Sequence, residues 1–279
     1  MKSESVRNSI TFLLMCIFGL IMIYPLIWLF TASFKSNEEI FGSLSLWPNQ
    51  FLWDGYTKGW VGSGQYSFSL FFMNTFKLVI PTVIFTVISS TIVAYGFARF
   101  NFPLKKLLFS LMISTLMLPN AVVIIPKYIL FKNLGWLNSY LPFIVPAMLA
   151  TSAFFIFMII QFFRGLPREL DESAKMDGCN SFVILVRILL PLAMPALISA
   201  AIFQFIWTWN DFFNSLIYIT SVKNFTVALG LRMALDNSTS VAWNQVLAMS
   251  VVAVVPCILV FFFAQKYFVE GISTTGIKG

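Results

Sequence analysis

Histidine is missing altogether from the 279 residues of this chain, and only 10% of them are charged. The first absence removes the commonest general base and the commonest metal ligand. The second removes the polar surface that a soluble globule of this length needs. Cysteine occurs only at Cys16, Cys179 and Cys257, far apart and without metal-ligand spacing, and two of the three lie in apolar runs. Neither a disulfide framework nor a zinc site is expected. No G-x-x-x-x-G-K-[ST] phosphate loop occurs, so this chain cannot bind a nucleotide in that way and any ATP chemistry must come from another subunit. No catalytic residue, no metal and no cofactor of the chain's own are therefore expected.

What is present is apolar: 59% of the residues are hydrophobic, which describes an all-α, polytopic membrane protein. The net charge of +7 comes from 18 Lys and Arg against 11 Asp and Glu, scattered among loops rather than gathered on one element. Nucleic acid is thus not an expected partner, and membrane topology accounts for the basic residues better. Ile10 to Phe30 is long enough to span a bilayer, which takes about 20 residues, and longer than the apolar core of a cleaved signal, about 7–15. It reads as a retained first span. Lys35 to Phe68 is turn-rich and polar, with Trp47, Trp53, Tyr56 and Trp60 available to an interface.

Further spans are expected over about Asn74–Ala98, Leu107–Ile125 (interrupted at Pro119), Leu141–Phe163, Leu192–Trp209 and Val246–Gln265. Prolines inside several of them are tolerable where neighbouring helices satisfy the freed carbonyls, and they suggest kinked helices. Six spans place both termini on one side. That side gathers Lys2, Arg7, Arg99, Lys105, Lys106, Arg164, Arg168, Lys175, Arg187, Lys266 and Lys278 in short segments. The positive-inside rule makes it the cytoplasm of a multi-pass protein of the cytoplasmic membrane.

Leu166 to Pro195, LPRELDESAKMDGCNSFVILVRILLPLAMP, falls between the fourth and fifth spans, on that inner side. Pro167 suits a first helical turn, with Asp171 and Glu172 favoured there by the helix dipole. Leu166, Leu170 and Ala174 make a narrow apolar stripe. Gly178 supplies a left-handed stop, and Asn180 or Ser181 can cap a second helix running into the membrane at Pro191. A helix, a sharp turn and a second helix should project from the membrane face. An amphipathic helix lying in the headgroups is the alternative, but it would not need Gly178.

The spacing of Glu172-Ser173-Ala174, Asp177-Gly178 and Ile188, Leu190, Pro191 resembles the glutamate-alanine-alanine, glycine, isoleucine-leucine-proline signature of permease subunits of binding-protein-dependent ABC importers. Ser173 replaces the second residue of that signature. The resemblance implies a type I ABC importer permease fold with six transmembrane helices, in which this loop couples to the ATPase. It divides the chain into 1–69, holding the first helix and an external segment, a five-helix core over 70–266 with the coupling loop at about 164–190, and a tail over 267–279. The tail, with Phe268-Val269, Gly271, Gly276 and Lys278-Gly279, is similar to that of carbohydrate permeases, where in the maltose type it enters the interface between the ATPases.

Implied partners are a second related permease, two ATPase subunits, an extracytoplasmic solute-binding protein, membrane lipid and a sugar substrate. The long external stretch Asp211–Asn244 is where a binding protein would be met. Trp207, Asn210 and Asp211 close the fifth span, as an interfacial belt or, on the sharper reading, as part of a substrate pathway. Polyamine and phosphosugar importers carry the same signature. An ion-coupled transporter would need ionisable groups at mid-membrane, and the spans hold almost none.

Overall fold

The computed structural model describes residues 2–62, 65–236 and 241–276, and every regular element among them is helical. Five stretches are long and apolar enough to cross a membrane: Arg7–Ala32, Phe68–Arg99, Leu141–Gly165, Ser181–Trp209 and Trp243–Lys266. A sixth crossing requires the bent pair Lys105–Leu116 and Asn120–Asn133 to act together. The helices are α1 (Lys2–Ala32), α2 (Asn37–Gly42), α3 (Asp54–Val61), α4 (Phe68–Arg99), α5 (Lys105–Leu116), α6 (Asn120–Asn133) and α7 (Leu141–Met148). They continue with α8 (Ala153–Gly165), α9 (Glu169–Met176), α10 (Ser181–Ile184), α11 (Leu190–Trp209), α12 (Phe212–Tyr218), α13 (Val227–Asp236) and α14 (Trp243–Gly276).

The third span, expected over 107–125 with an interruption at Pro119, is broken there and runs longer than expected. Its two arms meet at 103° and the second continues to Asn133. Pro119 causes the break: it sits at the cap of α6 in an extended conformation (ψ 138°) and disfavours helical geometry in the residue before it. The fourth span is also interrupted, between α7 and α8, where Ala150 has φ 55°. Ser89 of α4 donates to the Ala147 carbonyl there at 2.6 Å, the kind of side-chain compensation that lets broken helices persist in a bilayer.

The chain forms two compact units. The first comprises Met1–Leu70 with Gly230–Val255. In it no side chain of α1 from Arg7 to Phe30 is buried, so this part of the helix presents apolar surface all round. Phe34 then nucleates an aromatic cluster, with ring centroids 5.3, 5.6, 5.0 and 5.2 Å from Phe30, Phe51, Trp53 and Tyr56. Tyr56 is turned inward to share a 2.8 Å hydrogen bond with Ser33, whereas Trp47, Trp53 and Trp60 stay exposed. Lys35 is buried and donates to the Ser45 carbonyl. Gly55 is obligatory by close approach, because a Cβ there would lie 2.7 Å from the Asn244 carbonyl oxygen.

The second unit comprises Phe71–Leu229 with Pro256–Gly279. Its core joins Ala94, Tyr95 and Ala98 of α4 to Ile156, Ile159, Ile160 and Phe163 of α8, and to Ile184, Leu185, Leu189, Ala193 and Leu197. The segment after Asp211, expected as a long loop, is instead folded into α12 and the start of α13. Backbone capture explains why: Asn74 donates to the carbonyls of Lys223 (2.8 Å) and Phe225 (3.1 Å), and Thr75 accepts from the Val227 amide at 2.9 Å. Asn138, at φ 60°, accepts from the Ser221 amide at 2.9 Å and donates its own backbone amide to the Tyr218 carbonyl at 2.7 Å.

Candidate functional site

The loop between α8 and α10 is built from its backbone outward. Asp171 and Glu172 amides both donate to the Arg168 carbonyl, so α9 starts after Arg168. Pro167 therefore precedes the helix instead of occupying its first turn. The helix ends in a Schellman motif: the Gly178 amide reaches back to the Lys175 carbonyl at 3.0 Å and the Cys179 amide to the Ala174 carbonyl at 2.9 Å. Gly178 has φ +81°, the left-handed geometry the motif requires. Asn180 then caps α10 by accepting from the Val183 amide at 2.9 Å.

A π-turn over Leu185–Leu189 carries this second helix into α11, and the Leu190 amide donates five residues back to the Leu185 carbonyl. Pro191 lies just beyond, and its missing amide leaves the regular ladder incomplete at that level. Ile188 and Leu190 pack partly buried against the core, while Pro191 is exposed. These three residues shape the junction between the loop and the fifth span.

The loop has an inner and an outer face. Inward, Ala174 is buried in the core with Leu166 and Cys179 packed against it. Asp171 also points inward, which the apolar stripe did not predict. Its Oδ2 lies 3.0 Å from Nε of Arg99, the last residue of α4, and the two side chains are only 11% and 7% exposed. The contact is a charge pair without an aligned hydrogen bond. Arg99 also donates through Nη2 to the Leu166 carbonyl at 3.2 Å, and the Tyr95 hydroxyl donates to the Ser181 carbonyl at 3.0 Å. The only sequence signal for this pair was an arginine closing one span and an acidic residue three positions ahead of the buried Ala174.

Outward lie Glu172, Ser173, Lys175, Asp177 and Gly178, all exposed. Met176 is 89% exposed and Phe182 72%, two large apolar side chains presented among charges on a short polar loop. Such anchors surrounded by polar groups are what a protein partner buries. Sequence reasoning singled out neither, because on helices this short the spacing of apolar residues does not distinguish an outward side chain from an inward one.

The second candidate cluster, at the end of α11, separates in space. Trp209 is buried, with ring centroids 5.9, 5.1 and 5.4 Å from Phe72, Phe76 and Phe205. Trp207 and Asn210 are exposed, and Asn210 donates to the Ile206 carbonyl at 2.8 Å. Asp211 is half-buried and caps α12, accepting from the Asn214 amide at 3.1 Å and from the Asn214 side chain at 2.8 Å. Burial raises its carboxyl from the ordinary aspartate value, and the Asn214 hydrogen bonds oppose that shift. At the C-terminus, Gly276 ends α14, and Lys278 and Gly279 lie outside the described residues.

Residues 87–274 match the family described as binding-protein-dependent transport system inner membrane component. The arabinooligosaccharides transport system permease protein AraQ of Bacillus subtilis is 33% identical over 276 residues, covering 98% of this chain and 96% of that one. The probable ABC transporter permease protein YurM of the same organism is 32% identical over 256 residues, covering 92% and 84%. The sn-glycerol-3-phosphate transport system permease protein UgpE of Yersinia pestis is 31% identical over 265 residues, covering 93% and 94%. A chain from the crystal structure of a bacterial ABC transporter involved in import of the acidic polysaccharide alginate superposes with a TM-score of 0.84 at 22% identity, over 96% of this chain and 98% of that one. That last likeness concerns the fold.

Proposed function

This chain belongs to the binding-protein-dependent transport system inner membrane components, and on that premise we propose that it moves a sugar or oligosaccharide across the cytoplasmic membrane by alternating access. ATP is bound by separate ATPase subunits, which grip the loop between α8 and α10. The observation that carries this reading is the outer face of that loop. A helix held rigid by a Schellman turn presents Glu172, Ser173, Met176 and Asp177 beside Phe182, and a water-facing loop has no use for exposed Met and Phe.

In this account Glu172, Ser173 and Asp177 make polar contacts with the ATPase while Met176 and Phe182 are buried in its cleft. Ala174, Gly178, Ile188, Leu190 and Pro191 give the loop its shape and its attachment to the spans. Gly276, Lys278 and Gly279 of the tail are assigned a role at the interface between two ATPases. A second permease and an extracytoplasmic binding protein complete the transporter, and both termini lie in the cytoplasm. Trp207 on α11 and Asn210 at its C-terminal cap, both exposed, are the substrate-pathway residues, with Asp211 holding the turn after them.

The substrate class rests on the arabinooligosaccharide relative, and the glycerol phosphate relative supports a phosphorylated solute as a second reading. Copurification tests the assembly: the native chain should bring down its ATPase subunits, and Phe182→Asp with Met176→Asp should lose them. Undiminished ATPase recovery by the double variant would remove the loop's outer face from the account.

A further inference from the structure

The 166–181 loop is joined covalently only to α8 on one side and to α10–α11 on the other, so sequence alone would have it act on the fourth and fifth spans. The side chains add another connection. The last two turns of α4 hold this loop at its start, middle and end: Arg99 Nη2 on the Leu166 carbonyl (3.2 Å), Arg99 Nε beside Asp171 (3.0 Å) and Tyr95 Oη on the Ser181 carbonyl (3.0 Å). Ala94, Tyr95 and Ala98 share the core that receives Ala174. Both members of the ion pair are buried, so it is screened far less than the exposed Lys58–Asp54 pair, whose side chains are 64% and 61% exposed.

We propose that Arg99 and Asp171 are positioning residues that fasten the ATPase-facing loop to α4, making the second span the member through which loop movement reaches the far side. The opposite end of the same helix supports this. There Asn74 and Thr75 grip the backbone of Lys223, Phe225 and Val227 by the same device, side chains capturing main-chain groups. A 32-residue helix is about 48 Å long at about 1.5 Å per residue, so α4 reaches across a bilayer between two gripped segments. Movement of the loop displaces the Arg99 end, and the Asn74 end carries the 223–227 segment with it.

The inference rests on the loop meeting an ATPase, and its test separates the two. The complete transporter is reconstituted in proteoliposomes with Arg99→Gln or Asp171→Asn. Since the loop's outer face is unaltered, the ATPase subunits should still copurify, while solute imported per ATP hydrolysed should fall by about fivefold or more. The exchanged pair, Arg99→Asp with Asp171→Arg, should recover a substantial part of that ratio. Single variants with an unchanged ratio would overturn the proposal. So would variants that fail to assemble and are not rescued by the exchange, since the pair would then be a folding requirement only. Failure of the underlying reading has a different mark, a native chain that brings down no ATPase.

Discussion

Gly178 offers the cleanest perturbation of the loop. At φ +81° it occupies the left-handed region, and an added Cβ would meet no heavy atom within 4 Å. Any penalty at this position is therefore conformational and not a clash. For an L-residue with a Cβ it is about 1–2 kcal/mol, smaller for Asn, which tolerates this geometry. A β-branched Val fits it worst. A change of that size raises the population of the opened turn by about 5–30-fold. Hydrogen exchange reads it directly, because the amides of residues 178 and 179 are the two donors of the motif, to the carbonyls of Lys175 and Ala174. In the purified transporter, peptides covering 174–181 should exchange faster in the order Gly, Asn, Ala, Val, and ATP-driven uptake should fall in the same order. Exchange unchanged by Ala and Val, or Asn as damaging as Val, would refute the argument that the backbone turn sets the loop.

Three further outcomes are expected. In a chain freed of its native cysteines, Ser173→Cys should resist an impermeant thiol reagent in intact cells and Lys223→Cys should react, and the reverse pattern would invert the topology. Deleting 272–279 should leave membrane insertion intact but lower hydrolysis stimulated by the binding protein, and full stimulation would remove the tail from the ATPase interface. Asp211→Asn should preserve uptake because Asn also caps helices, whereas Asp211→Ala should cost about 1 kcal/mol of stability. Burial raises the Asp211 carboxyl, so its contribution to stability is greatest when protonated and is lost as pH climbs through its raised folded value. The Asn variant should therefore show a flatter acid-side stability profile in thermal melts.

What could be read from the sequence was governed by local rules. The helix over 169–176, the stop at Gly178 and the cap at Asn180 all follow from short-range backbone chemistry, as does the break at Pro119. The signature residues Glu172, Ala174, Gly178, Ile188, Leu190 and Pro191 carry the family resemblance by spacing alone. Features decided by partners distant in sequence were invisible. Asp171 looked like one more solvated acid beside Glu172 until Arg99 was placed against it. The first half of the 211–244 stretch read as a loop because the order of its 221–227 segment comes from Asn74, Thr75 and Asn138, residues distant in sequence. Pro167 misled for a smaller reason, since proline suits both a first helical turn and the extended residue before a cap.

The central claim is that this chain imports a solute only when an ATPase drives it. Proteoliposomes holding the chain, its partner permease and the ATPase subunits, supplied with the binding protein and a labelled oligosaccharide, test that claim most directly. The account predicts accumulation that requires ATP on the ATPase side, requires the binding protein on the other, and disappears with Phe182→Asp and Met176→Asp together. Accumulation driven by an ion gradient in the absence of ATP would contradict it.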